Sequence, residues 1–489
     1  MILGTRTRPR CRQGHAVTDA ETSRWSDLFE RRNAAPLITL SLGVALHAFN
    51  GFLVATSLPT AVDEIGGVEL MSWSFTVYLV MAIVGGSGAA RLKLRVGARK
   101  GMMLPALVFL AGTLLAGMAP SMPVFLAGRA FQGLGEGIIT ALCYALIPAL
   151  FPSRLVARVF GVEAMVWAVG AFGGPLVSGI LTETISWRAA FFVNVPVVLL
   201  FLALVARVVP AEALGTEAKA FPLGRLAGIG AGIMLVAVAA VSGAPATAAL
   251  LILAAVAILV GVFVIDRRRP DRLFPSDAFA FTTTVGAGLW MILLMPVAQA
   301  STSVYLNITA QHLWGYGPTV AGYIHAIMAL SWSGSALLVA GVDDPRRRLL
   351  LIRLGPLLVV GGLVGIVLAM VTDTPLALIP CQIAVGTGFG ASWSFLSQAI
   401  MEAAREGERD RASAMLPTVL SAGYALGAAI AGLVANTAGF THELPAEPMV
   451  RAVSLTFSIG AALGTLAIIA SLGVRLRGKA AVPPPSPGR

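Results

Sequence analysis

Three polar side chains lie in an otherwise apolar stretch of this sequence, at Arg129, Gln132 and Glu136. Their spacing places all three on one face of an α-helix. A charged side chain at the centre of a membrane helix costs roughly 2.5–3.5 kcal/mol on insertion scales, so such residues usually face a partner or a cavity. We therefore predict that Glu136 takes up and releases a proton while Arg129 lines a cavity. A buried pair that only fixes packing is the alternative.

A second set of polar residues lies nearer the N-terminus, where His47 and Asn50 share a helical face. An imidazole can change its charge near neutral pH, which makes His47 a further candidate for proton coupling. Asn50 is a neutral amide, so it can bind a ligand by hydrogen bonds but cannot carry a proton at neutral pH. A lone histidine on a helix is more often a hydrogen-bonded packing residue, and that alternative stays open for His47.

The C-terminal part of the sequence supplies a different surface, made of aromatic, thioether and amide side chains. Methionine adapts to varied shapes, so this surface suits an apolar and poorly defined ligand. Together with Asn50 and Gln132, the candidate cavity residues are Trp290, Met295, Gln299, Gln382 and Trp393. Ordinary packing between helices is the alternative for each of them.

Glycine recurs at helical spacing between residues 161 and 179. Gly170 and Gly174 are one turn apart and would let another helix approach closely. Pro175 removes a backbone hydrogen bond and can bend its helix. The candidate residues of this helix are Gly161, Gly170, Gly174, Pro175 and Gly179. We predict either a bend that limits leakage or a packing seam with no further role.

The composition is that of an integral membrane protein. Hydrophobic residues make up 57% of the chain and charged residues 12%, whereas soluble domains carry about 25% charged residues. The mean hydropathy is +0.84. Cys11, Cys143 and Cys381 are too widely spaced to suggest a disulfide framework or a metal site. The sequence has no P-loop, Gly-x-Ser-x-Gly or His-Glu-x-x-His motif, so we predict no enzymatic activity, no cofactor and no bound metal.

From residue 37 onward, apolar runs of helical length alternate with short polar breaks, and about 20 apolar residues are enough to span a bilayer. We predict fourteen transmembrane helices, at 37–60, 70–90, 101–119, 122–150, 156–182, 189–209, 224–243, 247–265, 280–306, 317–341, 350–371, 375–401, 412–437 and 450–474. The predicted fold is an all-α polytopic membrane protein with two six-helix bundles, at 37–209 and 280–474. A linker at 210–279 would hold two extra transmembrane helices, and residues 1–36 and 475–489 would be terminal segments.

The basic residues predict the orientation. With the N-terminus in the cytoplasm, all but three of the 35 Lys and Arg residues fall in cytoplasmic loops and tails, as the positive-inside rule requires. The exceptions are Arg129, Arg188 and Arg451. The net charge of +11 is therefore a signal of topology rather than of nucleic-acid binding. An even number of spans puts both termini in the cytoplasm.

The sequence also contains an internal repeat. A gapless shift of 253 residues superposes six glycines of the fourth and fifth apolar segments on six glycines of the twelfth and thirteenth. The pairs are Gly133 with Gly386, Gly135 with Gly388, Gly137 with Gly390, Gly170 with Gly423, Gly174 with Gly427 and Gly179 with Gly432. Such parallel repeats are typical of two-bundle transporters. Arg129 and Glu136 fall on Gln382 and Phe389, so the charged chemistry lies in the first half.

These motifs resemble the fourteen-helix drug:proton antiporter branch of the major facilitator superfamily. The run from Arg129 to Gly135 resembles the branch's motif on the fourth helix, whose arginine is implicated in proton coupling. The run from Gly161 to Gly179 resembles its antiporter motif, with Ser178 where a glycine is usual. The resemblance covers roughly residues 37–474. It implies a monomeric transporter of the cytoplasmic (inner) membrane whose partners are a small-molecule substrate, protons and the lipid bilayer.

Two positions depart from the pattern of that branch. The branch has an aspartate where Asn50 stands, so one usual proton site is missing, and Glu136 could supply the carboxylate. The loop after the second helix usually has a gating aspartate where this sequence has Leu94. The other residues of the expected cytoplasmic gate, Arg95, Gly97 and Arg99, remain.

The function that the resemblance implies is proton-coupled efflux of amphipathic or cationic drug-like compounds by alternating access. Two other functions stay open, namely export of a specific lipid, siderophore or metabolite (or passive uniport), and a membrane sensor that does not transport. The loss of an aspartate at Asn50 favours these alternatives. The presence of Arg129, Pro175 and a carboxyl group at Glu136 favours the antiporter.

Overall fold

The computed structural model describes residues 25–211, 222–269, 272–406, 408–441 and 445–476, and the regular structure in these residues is helical. The α-helices are α1 (Arg31–Ile65), α2 (Trp73–Gly117), α3 (Met122–Leu150), α4 (Ser153–Thr184), α5 (Trp187–Phe192), α6 (Asn194–Val208), α7 (Leu223–Ala239), α8 (Pro245–Arg267), α9 (Thr284–Trp314), α10 (Pro318–Val339), α11 (Pro345–Val371), α12 (Leu378–Ala403), α13 (Arg409–Thr437) and α14 (Ala446–Ser471). A helix satisfies its own backbone polar groups, which lipid cannot do, so long apolar runs fold this way.

Within the described residues, twelve helical stretches are long and apolar enough to cross a membrane, fewer than the fourteen predicted. Two parts of the chain account for the difference. The segments predicted at 70–90 and 101–119 both lie in the single helix α2. The segment predicted at 224–243 forms α7, which has 17 residues and falls short of a full span.

The N-terminal segment predicted at 1–36 is described only from Trp25 onward. Trp25–Phe29 forms a 3₁₀ helix in which Leu28 is buried. Asn33 donates from Nδ2 to the carbonyl oxygen of Asp27 at 2.7 Å and fixes this turn against α1. The first α-helix therefore begins at Arg31, earlier than predicted. Most of the predicted C-terminal tail lies outside the described residues.

α2 is a helical hairpin. Gly97 interrupts it with a φ of 81° and a ψ of 165°, a conformation that is essentially restricted to glycine. The arms on either side of Gly97 both pack on α3. A Cβ atom added at Gly133 would lie 2.1 Å from the carbonyl oxygen of Tyr78, and one at Gly135 would lie 2.4 Å from that of Pro105. Tyr78 and Pro105 would be about 40 Å apart in a continuous helix, so the chain reverses direction at Gly97.

We expect Gly97→Ala to lower the stability of the protein by about 1–3 kcal/mol, because alanine can adopt this backbone conformation only with strain. The melting temperature of the purified protein in detergent measures the effect. Gly101→Ala is the matched control, since a Cβ atom there would lie 3.4 Å from Cα of Lys93, which is an ordinary contact. Equal melting temperatures for the two variants would contradict the expectation.

Helices α1–α6, the first helix group, pack mainly among themselves, and so do α9–α14, the second helix group. The glycines of the internal repeat make corresponding close contacts in the two groups. The contacts are Gly133 with Tyr78 and Gly386 with Met328, Gly135 with Pro105 and Gly388 with Gly355, and Gly137 with Ala82 and Gly390 with Trp332. The contacted residues are separated by nearly the same offset as the glycines, so the groups repeat their helix contacts as well as their motifs.

Contacts join the two groups at one end of the molecule. We call the end where α1 begins, at Arg31, the basic face, and the end where α1 stops, at Ile65, the opposite face. Several polar contacts cross between the groups towards the opposite face. They include the ion pair of His312 Nε2 with Asp63 Oδ1 at 3.3 Å, the bond from the backbone N–H of Thr319 to Glu183 Oε1 at 2.9 Å, the bond from Asn307 Nδ2 to the carbonyl of Ala55 at 2.5 Å, and the bond from Asn436 Nδ2 to the carbonyl of Glu69 at 2.9 Å.

α7 and α8 connect the groups. α7 packs against both α2 and α13, and Trp73 of α2 donates from Nε1 to the carbonyl oxygen of Ala237 at 3.1 Å. Asp266, at the end of α8, is buried and forms an ion pair with Arg225 of α7 at 2.5 Å. The buried ion pair therefore joins α7 to α8, and the contacts of α7 attach both helices to the boundary between the two groups.

Candidate functional site

Glu136 lies near the midpoint of α3, and its side chain is fully buried. Its Oε1 atom accepts a hydrogen bond from Tyr78 Oη at 2.6 Å and lies 2.5 Å from Nδ1 of His47. Its Oε2 atom accepts from Nδ2 of Asn50 at 2.9 Å. These partners come from α1 and α2, so one carboxyl group holds three helices together. The structure thereby brings His47, Asn50 and Glu136, three separate candidates from the sequence, into one polar cluster.

Arg129 lies two turns from Glu136 on α3 and is also buried. It donates from Nε to the carbonyl oxygen of Ser74 at 3.2 Å and from Nη1 to Oε1 of Gln132 at 2.8 Å. Its guanidinium carbon lies 4.1 Å from the ring centroid of Tyr78, a cation–π contact. With 1% of its surface exposed, Arg129 is packed between α2 and α3 in this structure.

Tyr78 connects the two charged residues and was missed by the sequence analysis. Its ring lies against the Arg129 guanidinium, and its hydroxyl donates to Glu136. Helical spacing could not have found it, because it lies on a different helix from either partner. The available signal was the hydroxyl of a tyrosine inside an apolar segment, since a buried tyrosine usually has a hydrogen-bond partner.

His47 is the member of this cluster that reaches the protein surface. About a quarter of its side chain is exposed, at 24%, whereas Glu136 is fully enclosed. The imidazole meets the ring of Trp167 on α4 edge-on, with 5.2 Å between centroids. Trp167 is itself partly exposed. A proton on Glu136 is therefore one side chain away from the surface beside α4.

The glycines of α4 make the close approach that their spacing predicts. A Cβ atom at Gly170 would lie 2.9 Å from Cβ of Ala48, and one at Gly174 would lie 2.7 Å from Cβ of Phe52, both on α1. Gly179 approaches Thr319 of α10 instead. The same helix thus packs on α1 within its own group and touches the other group near the opposite face. Pro175 lies in this helix beside Gly322 of α10, and Gly161 lies closer to the basic face.

The cavity candidates of the second group do not form one cluster. Met295 and Trp393 line the same small apolar crevice between α9, α12 and α13. Gln299 bonds within its own helix, to Thr302 Oγ1 at 2.9 Å. Gln382, buried on α12, donates from Nε2 to the carbonyl of Ile324 at 3.3 Å. Trp290 lies at the start of α9, where it stacks on Phe281 and donates to the carbonyl of Phe279 at 2.9 Å.

The predicted gate lies at the turn of the α2 hairpin. Gly97 forms the break itself, and Arg95 is exposed beside it. Arg99 donates from Nε to the carbonyl oxygen of Val209 at 2.8 Å, which ties the turn to the end of α6 in its own group.

We expect Arg129→Lys to lower stability by about 1.5–3 kcal/mol, the typical contribution of one hydrogen bond to a charged group. Lysine keeps the charge, but a single ammonium cannot reach both the Ser74 carbonyl and Gln132 while stacking on Tyr78. The melting temperature in detergent checks this, with exposed Arg346→Lys as the control. An Arg129→Lys variant with the same melting temperature as the wild type would show that the planar, multi-donor geometry of the guanidinium group is unimportant for stability.

Comparison with known proteins agrees with this architecture. The sequence profile of the Major Facilitator Superfamily matches residues 40–415, which is more than half of the chain. The chain belongs to this superfamily. A probable multidrug-efflux transporter of Mycobacterium tuberculosis is 31% identical over 92% of this chain and 97% of its own length. The puromycin resistance protein pur8 of Streptomyces alboniger is 27% identical over 91% of this chain and 92% of its own length.

A solved structure shows the same fold at low sequence identity. The crystal structure of a D-xylose–proton symporter superposes with a TM-score of 0.61 and 16% sequence identity, over 89% of this chain and 96% of its own. The superfamily consists of membrane transporters, and the chain is accordingly an integral membrane transporter that moves small molecules and is not an enzyme.

Proposed function

We propose that this superfamily member is a proton-coupled antiporter that exports amphipathic or cationic drug-like compounds by alternating access. The relatives named for multidrug efflux and puromycin resistance support the substrate class. The observation that carries the coupling is the buried Glu136 carboxyl group with its partners from α1 and α2. It is an ionisable group near the midpoint of the apolar helix α3, beside a histidine whose side chain is partly exposed.

Protonation of Glu136 would change how α1 is held. The ionised carboxylate can accept hydrogen bonds from Tyr78, Asn50 and a protonated His47 at once. The neutral acid carries a donor of its own, so one of these partners must turn from donor to acceptor or move away. His47 can make that change, because its Nδ1 atom accepts a hydrogen bond when it carries no proton. Proton exchange at Glu136 therefore alters the bonds that join α1 to α2 and α3, which is a route from protonation to helix movement.

The proposed topology has fourteen transmembrane helices. The two arms of the α2 hairpin would each cross the bilayer, because 45 residues of helix are about 68 Å long and the hydrocarbon core is about 30 Å thick. α7 would cross as a short helix packed against α2 and α13. The bundles at 37–209 and 280–474 would then flank a linker at 210–279. By the positive-inside rule the basic face and both termini would be cytoplasmic.

In this orientation the opposite face is the outer face, and the contacts between Asp63 and His312 and between Glu183 and Thr319 hold it closed. The partly exposed His47 and Trp167 then lie on the way to the cytoplasm. A state that is closed outside and accessible from inside can release a proton to the cytoplasm and bind a compound there. We further propose that the monomer is the transporting unit, since the polar cluster is complete within one chain.

The proposal is tested by transport in liposomes that contain the purified protein and are acidic inside. We expect a fluorescent lipophilic cation such as ethidium to accumulate inside while protons leave. Nigericin, which dissipates the pH gradient, should abolish the accumulation. Entry of the cation at the same rate and to the same level with and without the gradient would rule out proton coupling.

A further inference from the structure

A second buried carboxyl group lies in the first helix group, away from the Glu136 cluster. Glu163 of α4 has 1% of its surface exposed. Its Oε1 atom accepts a hydrogen bond from Ser41 Oγ of α1 at 2.9 Å, whereas its Oε2 atom is buried without a hydrogen-bond partner among the described residues. Buried polar atoms are normally hydrogen-bonded, so an open carboxyl oxygen calls for an explanation. A proton can be added to this oxygen without breaking an existing bond.

The ion pairs recorded among the described residues do not include Glu163. Cys143 and Tyr144 of α3 lie close enough to interact with its charge, and Ser41 faces it from α1. A packing role as one half of an ion pair therefore does not account for Glu163. Burying its carboxylate without a cationic partner costs free energy.

Glu163 is closer to the basic face than the Glu136 cluster is. Ser41, its partner on α1, precedes His47 by six residues, which is about 9 Å along a helix axis. Trp167, one turn from Glu163, donates from Nε1 to Tyr144 Oη at 3.4 Å and meets the His47 ring edge-on. Trp167 thus contacts His47 of the Glu136 cluster on one side and Tyr144, which lies near Glu163, on the other.

We propose that Glu163 is a second proton-binding group of this transporter, which takes up the proton that Glu136 releases when the protein is accessible from the basic face. This inference rests on the proposed antiport function. One proton leaves Oε1 of Glu136 for Nδ1 of His47, the imidazolium then loses a proton from Nε2, and Oε2 of Glu163 gains one. No electron is transferred and no other reactant is needed. Glu163 releases the proton at the basic face and is then ready for the next cycle.

The test compares Glu163→Gln with Glu163→Asp in the purified protein. The readout is the rate at which protons appear in lightly buffered detergent solution after ethidium is added. Glutamine keeps the shape and can accept the Ser41 hydrogen bond but holds no proton, whereas aspartate holds a proton on a shorter side chain. We expect Glu163→Gln to slow proton release by roughly tenfold or more, as for the loss of a proton-transfer group. Glu163→Asp should retain more of the rate than Glu163→Gln.

A purely structural role predicts the reverse order, with the isosteric glutamine near the wild type and aspartate impaired, and that result would overturn the proposal. Exposed Glu402→Gln on α12 is the matched control and should behave as the wild type. Ethidium affinity, measured by fluorescence, should be unchanged in all three variants. Wild-type protein that binds ethidium without releasing protons would refute the antiport function itself. Wild-type release rates in Glu163→Gln, with none in Glu136→Gln, would refute only the role of Glu163.

Discussion

Glu136→Gln should abolish export against a concentration gradient while leaving binding of the transported cation in place. Glutamine keeps an oxygen that can accept the hydrogen bond from Asn50, at 2.9 Å in the wild type, but it cannot take up a proton. Without a proton to exchange, the pH gradient can do no work on the substrate. Accumulation of ethidium in liposomes that are acidic inside should then fall to the level of protein-free vesicles.

Two controls separate loss of coupling from loss of folding. Glu402→Gln removes an exposed carboxyl group of α12 that accepts from Gln398 at 2.6 Å, and it should accumulate ethidium as the wild type does. Glu136→Gln should still bind ethidium and still exchange bound for free cation when no gradient is imposed. Gradient-driven accumulation in Glu136→Gln at the wild-type level would exclude Glu136 as the proton carrier.

The proposed role of Glu136 accounts for an asparagine at position 50, where the resemblance to the antiporter branch leads us to expect an aspartate. Asn50 lies on α1 and donates to Glu136 on α3, so in the proposed mechanism the proton-binding carboxyl group lies on α3 rather than on α1. The Asn50 amide donates to Oε2 of Glu136 while His47 lies against Oε1, so both carboxyl oxygens are in contact with α1. In the proposed mechanism α1 therefore responds to the protonation of Glu136 through His47 and Asn50, although it carries an amide rather than an acid at position 50.

The sequence predicted this cluster in part. Helical spacing determines which residues share a face, and it grouped Arg129 with Glu136 and His47 with Asn50 correctly within their own helices. Spacing carries no information on which faces of different helices meet. Tyr78 was missed for that reason, although it contacts members of both sets. Residue type alone also could not distinguish a residue that lines a cavity from one that only packs. Trp290 is an example, because at the start of α9 its Nε1 atom donates to the carbonyl oxygen of Phe279.

The number of spans was harder to predict than the fold class. Hydropathy showed one apolar segment before Lys93 and Arg95 and another after them. It could not show that the helix continues through these residues and is interrupted only at Gly97, where the chain turns. For α7, the apolar run continues to Val241, yet the helix stops at Ala239 because the chain turns before Pro245. The glycine repeat was the stronger guide, since its offset recurs in the contacts between helices.

Gly133→Ala should be among the most disruptive single substitutions in the chain. A Cβ atom at this position would lie 2.1 Å from the carbonyl oxygen of Tyr78, too close for two unbonded atoms, and backbone must move to relieve it. Overpacking of this kind costs about 1–3 kcal/mol. The residue displaced is the one whose hydroxyl donates to Glu136 and whose ring contacts Arg129. We therefore expect a lower melting temperature together with impaired proton release on addition of ethidium.

Gly386→Ala separates these two effects. It is the equivalent glycine of the second group, and its Cβ atom would lie 2.0 Å from the carbonyl oxygen of Met328, so its steric cost should be similar. No charged cluster corresponding to Arg129, Tyr78 and Glu136 depends on Met328, because Gln382 and Phe389 stand at the equivalent positions of α12. Both variants should melt below Gly361→Ala, whose Cβ atom would meet open space. If proton release per folded molecule fell equally in Gly133→Ala and Gly386→Ala, the link from Tyr78 to Glu136 would not be what couples the site.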